Sequence, residues 1–424
     1  MRVSDVNVLM RRLIKIQDDD SNQVENRKVV SMLLLSFLLR IILFRLSGYQ
    51  LDLNTYAAWI FAAAENGVRQ FYDVVPWHDY PPLNIYLFWV MGVIAKAFSL
   101  FGTPQMTFLI KLPSNLFELA TASLIYRYVR SKASFDSAFF AATLYAFNPA
   151  TILNSAIWGQ YDGIYTFFLV SSILLLIESK PLFSTVAFAL ALLTKPQSIA
   201  LAPILLFVIY RKYGFVTWFK SGITAAIATL IVVLPFKWSN PISFLLEIYT
   251  TGYGGYPYTS LNAFNIWALE GFWLSDLRSV LGINFFTLGW TLFLILVLSV
   301  LNFYLREKEG FDRTVIYASF LLLFGFFMLP TRIHERYLFP ALSMLVLLFP
   351  FSINLVPVYT LLTLSCLVNQ AYVLMFLNSG RFIPLGDPVV LAFSAINIVV
   401  FVYCLYLTVR GIDKPIISRI KWLP

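Results

Sequence analysis

Residues 82–102 read PLNIYLFWVMGVIAKAFSLFG, an apolar stretch whose only charge is Lys96. It is long enough to cross a bilayer, which takes about 20 apolar residues. Whether it crosses decides the side on which every later residue lies. Other apolar runs occur at 29–48, 106–127, 136–154, 160–178, 217–236, 285–305, 314–330, 337–351, 354–376 and 388–409. The stretch 182–211 is interrupted by Thr194-Lys195-Pro196-Gln197. Proline removes a backbone donor and favours a break, so this stretch divides into 182–194 and 198–211, giving twelve expected spans. Basic clusters follow the spans: Arg127, Arg130 and Lys132; Arg211, Lys212 and Lys220; Arg306, Lys308 and Arg313; Arg410, Lys414, Arg419 and Lys421. With an inside N-terminus, all four fall on the cytoplasmic side, where lysine and arginine accumulate, only if 82–102 does not cross. That stretch is therefore expected to lie in, or dip into, the outer leaflet.

Composition agrees. Of 424 residues, 59% are apolar and 12% charged, about half the charged fraction of an average globular protein. An ordinary soluble enzyme is excluded, and an all-α polytopic membrane protein is expected. The excess of 31 Lys and Arg over 22 Asp and Glu reads as cytoplasmic loop charge rather than a nucleic-acid surface. Cys366 and Cys404 sit inside apolar runs and offer no disulfide framework. Residues 1–28 mix both signs (Arg11, Arg12 and Lys15 against Asp18, Asp19 and Asp20) and show no cleavage site. They read as a cytoplasmic tail before a retained first span.

The expected organisation is a catalytic transmembrane module over 29–340 with outer loops 49–105 and 237–284, further helices over 341–409, and a basic tail over 410–424. Polar residues gather on the outer face. Asp52 stands just past the first span, and His78-Asp79-Tyr80-Pro81-Pro82 follows in the same loop. Asn148-Pro149-Ala150 and Trp158-Gly159-Gln160-Tyr161-Asp162 lie at a span junction, and Thr331-Arg332-Ile333-His334-Glu335-Arg336-Tyr337 at the entry to the tenth span. Lys195 adds a cation at the broken helix. His78 and His334 are the only histidines, too few for a three-histidine zinc site. Neither a phosphate-binding Gly-rich lysine loop nor a Gly-x-Ser-x-Gly elbow occurs, which weighs against ATP-driven and triad-hydrolase chemistry.

These strings, taken in order over about 45–340, resemble the GT-C superfamily of membrane glycosyltransferases. They are most similar to prokaryotic proteins related to GPI mannosyltransferases, and also to the ER glucosyltransferases that extend the N-glycan precursor. The resemblance implies a dolichyl- or polyprenyl-phosphate sugar donor and a catalytic aspartate in the first outer loop, which maps to Asp52. It places His334, Glu335 and Arg336 near the donor phosphate. The Trp-Trp-Asp string of oligosaccharyltransferases is absent, which argues against transfer of a whole glycan to asparagine.

The residue types suit that chemistry in their own right. A lipid phosphate leaves as a stable anion, so its departure needs cations rather than a general acid, while the attacking hydroxyl needs a base. Asp52 is the expected base. Arg332, His334, Arg336 and Lys195 are candidates for the donor phosphate, and Asp79, Tyr80, Gln160, Asp162 and Glu335 for substrate binding. No cofactor is expected; Asp52, Asp79 and Asp162 are the carboxylates that would gather a divalent cation if one took part. The expected reaction is inverting transfer of mannose or glucose to a glycan or lipid-linked acceptor on the extracytoplasmic face, at the plasma membrane of a prokaryote or in the ER of a eukaryote.

Structural explanations compete at each position. Asp52 and Asp162 sit where helix caps occur, Asp79 precedes a turn, Arg332 and Arg336 suit snorkelling at a span end, and Lys195 would satisfy carbonyls freed at the proline break. Arg40 and Glu118, each deep in an apolar run, are expected to pair inside the bundle, because isolated charge at that depth is costly. A lipid-linked-sugar flippase or transporter is the alternative function, disfavoured by the single broken helix without a paired counterpart. A non-catalytic scaffold for a glycosylation complex is the third.

Overall fold

The computed structural model describes residues 3–307 and 310–410, with side chains from residue 23 onward. Lys308, the tail cations Lys414, Arg419 and Lys421, and the side chains of the expected N-terminal charge mixture lie outside the described residues. The chain is a multi-pass, mostly helical membrane protein. Among the described residues, six helices are long and apolar enough to cross a bilayer by length and composition: Pro104–Arg130, Pro196–Val233 (broken at Gly214), Phe285–Arg306, Phe311–Met328, Ile353–Ser379 and Pro388–Arg410.

That is fewer than the twelve spans expected, and proline accounts for much of the difference. The run 136–154 does not form one helix. α5 (Phe135–Ala146) stops at Phe147, and Asn148 caps a new turn, α6 (Pro149–Ile152), by accepting from the amides of Ala150 and Thr151. A wide helical turn over Leu153–Trp158 follows. The run 160–178 yields α7 (Asp162–Ile177) and 182–194 yields α8 (Pro181–Leu192), 16 and 12 residues long. At ~1.5 Å per residue these reach about 24 and 18 Å, short of the ~30 Å hydrocarbon core. The run 337–351 contributes only α13 (Phe339–Val346).

The remaining helices are α1 (Val3–Leu43), α2 (Gln50–Val74), α3 (Pro82–Ala97), α4 (Pro104–Arg130), α9 (Ala202–Val233), α10 (Pro241–Gly254), α11 (Phe285–Arg306), α12 (Phe311–Met328), α14 (Val356–Ser379) and α15 (Pro388–Arg410). α2 breaks at Gly67, and α3 runs beside the first half of α2 in the same direction, with Phe88 by Tyr56 and Gly92 by Ile60. α3 lies along α2: Lys96 pairs with Glu65 at 2.8 Å, and the rings of Phe61 and Phe101 meet at 5.2 Å. Gly92 makes this approach possible, since a Cβ there would fall 2.6 Å from both the Ala64 Cβ and the Ile60 carbonyl oxygen.

α9 also reverses. Gly214 carries φ +83°, a left-handed conformation that glycine adopts at little cost. Pro196 and Ile199 before α9, and Thr229 near its end, line the same cavity, so the helix leaves the cavity, turns at Gly214 and returns. Its turn meets other basic segments at the far end of the molecule. Lys212 lies over the ring of Phe311, and Lys132 pairs with Asp312 at 2.7 Å. Three of the four basic clusters thus share one end, opposite the cavity.

Two cations are sealed in the bundle. Arg40 is fully buried and pairs with Glu118, with Asn115 at 3.0 Å, Ser155 at 3.1 Å and the Ala146 carbonyl at 3.0 Å taking its other donors. Lys111 donates to the carbonyls of Phe44 and Leu46 at 3.1 and 2.7 Å, just past the end of α1, where free carbonyls favour a cation.

Candidate functional site

A cavity of about 580 Å³ opens between the end of α8, the returning half of α9, α10 and the segment joining α12 to α13. Its polar wall includes Asp79, Tyr80, Lys195, Arg332, His334 and Arg336, and its apolar wall includes Leu245, Ile248, Trp290 and Phe326. The segment carrying Arg332, His334 and Arg336 is irregular because Met328 ends α12 and Pro330 follows. It is held in a strand-like pairing with residues 258–262: Arg332 N–H donates to the Tyr258 carbonyl at 3.0 Å, and Leu261 N–H to the Ile333 carbonyl at 2.9 Å. That partner stretch is pinned by the C-terminal helices. Asn369 on α14 accepts from the Phe264 amide at 2.9 Å and donates to the Asn262 carbonyl at 2.8 Å, and Asn397 on α15 donates to the Phe264 carbonyl at 2.7 Å. Helices that carry no recognised motif therefore set the position of the histidine-arginine segment.

Asp52 stands in the first turn of α2 but does not cap it; the cap position belongs to Tyr49, without a side-chain bond. The Asp52 carboxylate accepts instead from Trp158 Nε1 at 2.9 Å and Gln160 Nε2 at 2.7 Å. Both donors use Oδ2, and among the described residues Oδ1 accepts no hydrogen bond. Gln160 is oriented in turn by Tyr56, whose hydroxyl donates to Gln160 Oε1 at 3.1 Å and lies 2.9 Å from the Tyr80 hydroxyl. One end of that chain of polar atoms is Asp52 and the other, Tyr80, lies on the cavity wall. No cation bonds Asp52 among the described residues.

Asp162 begins α7 and likewise does not cap its own helix. It is fully buried, with Lys195 Nζ at 2.9 Å, Asn154 Nδ2 at 3.1 Å and Arg336 Nε at 3.6 Å. Lys195 lies over the rings of Tyr80 and Tyr165, 5.6 and 5.8 Å from their centroids, so among the described residues its charge is committed to Asp162 and these rings and not to carbonyls at the proline break. Arg336 also pairs with Glu335, whose other oxygen lies 3.7 Å from His334 Nδ1. Burial alone would raise the Glu335 pKa, but Arg336 and the neighbouring His334 outweigh it and hold the group at about 2. His334 is lowered by burial and by Arg336. Asp79 is raised, chiefly by burial, against the pull of Lys195 and Arg336. Its Oδ1 is buried with no hydrogen-bond partner among the described residues, as are Gln197 Oε1 and Arg336 Nε. All three residues line the cavity.

The structure thus gathers Lys195, Asp162, Arg336, Glu335 and His334 into one cluster, with Asp79 and Tyr80 beside it and Asp52 joined to it through Gln160 and Tyr56. Arg332 is drawn elsewhere. Its Nε donates to Asp276 at 2.8 Å, its Nη1 to the Tyr253 carbonyl at 3.1 Å, and its guanidinium lies 4.7 Å from the ring centres of both Tyr253 and Phe286. It borders the cavity, but its charge is committed to a buried aspartate that carried no signal in the sequence. Tyr56, one helical turn from Asp52, was readable from its spacing; Trp158 sat in the same string as Gln160. Asn154 and Gln370, bonded to each other at 2.9 Å, connect helices with no sequence relation. Among the described residues no three His, Cys, Asp or Glu side chains are grouped to hold a metal ion.

Residues 60–254 match the family of PIG-U, described as a GPI transamidase subunit. The match begins just past Asp52, takes in Asp79, Tyr80, Gln160, Asp162 and Lys195, and ends before the His334-Glu335-Arg336 string. No curated protein matches the chain.

Proposed function

We propose that the chain is a membrane glycosyltransferase that moves a hexose, mannose or glucose, from a polyprenyl- or dolichyl-phosphate donor to a glycan or lipid-linked acceptor, with inversion. The observation that supports this reading most is the asymmetry of the site. One carboxylate, Asp52, is held by neutral donors with an oxygen free, while cations cluster across the tyrosine relay on a cavity with an apolar wall. In the proposed step the acceptor hydroxyl oxygen attacks the anomeric carbon and its proton passes to Asp52 Oδ1. The bond from that carbon to the phosphate oxygen breaks, and its electron pair leaves with the lipid phosphate. Arg336 and Lys195 stabilise the developing charge, and the apolar wall of Leu245, Ile248 and Trp290 receives the first units of the lipid chain. In this reading the site faces the extracytoplasmic side of the membrane.

A second reading draws on the family match. The PIG-U family is named as a transamidase subunit, and a protein of that kind would use the same cavity to hold a lipid-linked glycan for a partner without transferring a sugar. Incubating purified protein with a panel of polyprenyl-phosphate sugars and an acceptor mixture, with and without chelator, separates the two. Release of lipid phosphate that Asp52→Asn abolishes supports transfer. Tight donor-lipid binding with no release, unchanged in Asp52→Asn, supports the subunit reading and ends the first.

A further inference from the structure

The buried polar atoms on the cavity wall that find no hydrogen-bond partner among the described residues are of two kinds. Arg336 Nε is a donor, whereas Asp79 Oδ1 and Gln197 Oε1 are acceptors. The reaction assigned to this cavity uses the cations and leaves both acceptors without a role. They sit on segments that are bonded to each other. Leu83 N–H donates to the Leu193 carbonyl at 3.0 Å, and Asn84 Nδ2 to the Thr194 carbonyl at 2.6 Å. The stretch after Asp79 is thereby stitched to the stretch before Gln197. Behind Asp79, α2 fixes the loop: Trp59 Nε1 donates to the Trp77 carbonyl at 3.2 Å and the Tyr72 hydroxyl to the Tyr80 carbonyl at 2.8 Å. Gln197 lies in the tight turn that Pro196 begins, closed by Ser198 N–H on the Lys195 carbonyl at 3.2 Å.

The charges of Lys195, Arg336 and His334 all act on Asp79, so the acceptors border the cationic cluster. An acceptor in that place selects the chemistry of its ligand. A phosphodiester oxygen has no proton to give, and facing Asp79 it would bring two negative groups together. A prenyl chain has no donor at all. A hydroxyl has one, and its hydrogen bond to a carboxylate is stronger than one to a neutral acceptor. Donors for an anion beside acceptors for hydroxyls are complementary to a sugar ring that bears a phosphate.

We propose that Asp79 and Gln197 form a hydroxyl-reading subsite of this cavity, accepting hydrogen bonds from the hexose of the lipid-linked donor while Lys195 and Arg336 take its phosphate. The proposal rests on the donor assigned above but needs no transfer step, so binding tests it. The purified full chain is titrated with undecaprenyl phosphate and with its mannose and glucose conjugates. Wild type is expected to hold the better-bound hexose conjugate roughly tenfold more tightly than the sugar-free lipid, the worth of hydrogen bonds to one charged and one neutral acceptor. Asp79→Asn and Gln197→Leu should each cut that preference by roughly threefold or more. Both should still bind the sugar-free lipid, which shows that they are folded. Asp79→Asn removes a negative charge beside the cations, so any change in its affinity for the sugar-free lipid should be a gain. Wild type that binds conjugated and sugar-free lipid equally overturns the subsite and leaves phosphate capture standing. An undiminished preference in either variant overturns it as well. A variant that loses both lipids equally would assign its side chain to the fold or to the phosphate, and also overturns it. Wild type that binds neither lipid ends the donor reading itself, and the subsite with it.

Discussion

Two charged clusters lie in the same bundle and are built differently. Around Arg40, the carboxylate of Glu118, Asn115, Ser155 and the Ala146 carbonyl take the guanidinium's donors, both charges are fully buried, and Glu118 Oε1, without a hydrogen-bond partner among the described residues, lies off the cavity wall. Around Arg336, the charges are also paired, with Glu335 and Asp162, yet Arg336 Nε, Asp79 Oδ1 and Gln197 Oε1 are left without hydrogen-bond partners on a cavity wall. Unsatisfied buried polar atoms cost stability, and these three lie where a molecule in the cavity would reach them. The first cluster lies within the bundle and ties helices together; the second faces the cavity. Asp52 stands apart from both, since neutral donors hold it in place without cancelling its charge.

The largest expected effect tests that last distinction. Asp52→Asn preserves shape and removes the basic carboxylate, so turnover should fall by roughly 10²–10⁴-fold with donor binding intact, as read by lipid-phosphate release and by donor titration. Turnover at the wild-type rate would dissolve the contrast between Asp52 and the paired acids. Next comes the sealed cluster. Glu118→Ala leaves Arg40 buried and unpaired and should cost about 3–5 kcal/mol, seen as a lower melting temperature and a smaller folded fraction in detergent. Replacing Arg40 and Glu118 together by Met and Leu should cost less than Glu118→Ala alone. A double variant that is the least stable of the set would mean the pair contributes more than the sealing of its own charges.

Arg332 and Arg336 sharpen the comparison within one segment. Arg336→Ala should weaken donor capture by roughly tenfold, the loss of about 1.4 kcal/mol in binding. Arg332→Ala frees Asp276 and should lower thermal stability while changing donor affinity by less than about threefold. Equal losses of donor affinity in the two variants would restore Arg332 as a phosphate ligand.

The smallest effect is on pH. The Glu335 pKa is depressed from 4.5 to about 2, so its carboxylate contributes stability that is fully present above its unfolded value. That contribution fades as pH falls from about 4.5 toward 2. Glu335→Gln should flatten the acid limb of the stability profile over that window; an unaltered limb would detach Glu335 from Arg336.

Much of the architecture was legible from apolar runs and loop charge. The pairing of Arg40 with Glu118 follows from a cost that any fold must meet: no lone charge in hydrocarbon. Helix lengths were less legible. A run such as 136–154 is apolar throughout, but Asn148 offers its side chain to the amides ahead and Pro149 starts a new turn, so local hydrogen bonding divides what hydropathy joins. The cavity followed the same division. Gln160, Asp162, Lys195 and the His334-Glu335-Arg336 string were visible as polar residues in apolar surroundings.

Sequence by itself determined that the chain is a helical membrane protein, that its polar residues concentrate between particular helices, and which of them carry charge worth explaining. Tertiary structure alone decided their partners: Asp276 takes Arg332 out of the cluster, Trp158 and Gln160 hold one oxygen of Asp52, and Asn369 and Asn397 fix a loop from helices without a motif. The reason is physical. Burial cost depends on residue type and local pattern and is written along the chain, whereas a hydrogen bond between residues a hundred positions apart depends on a distance that only packing sets.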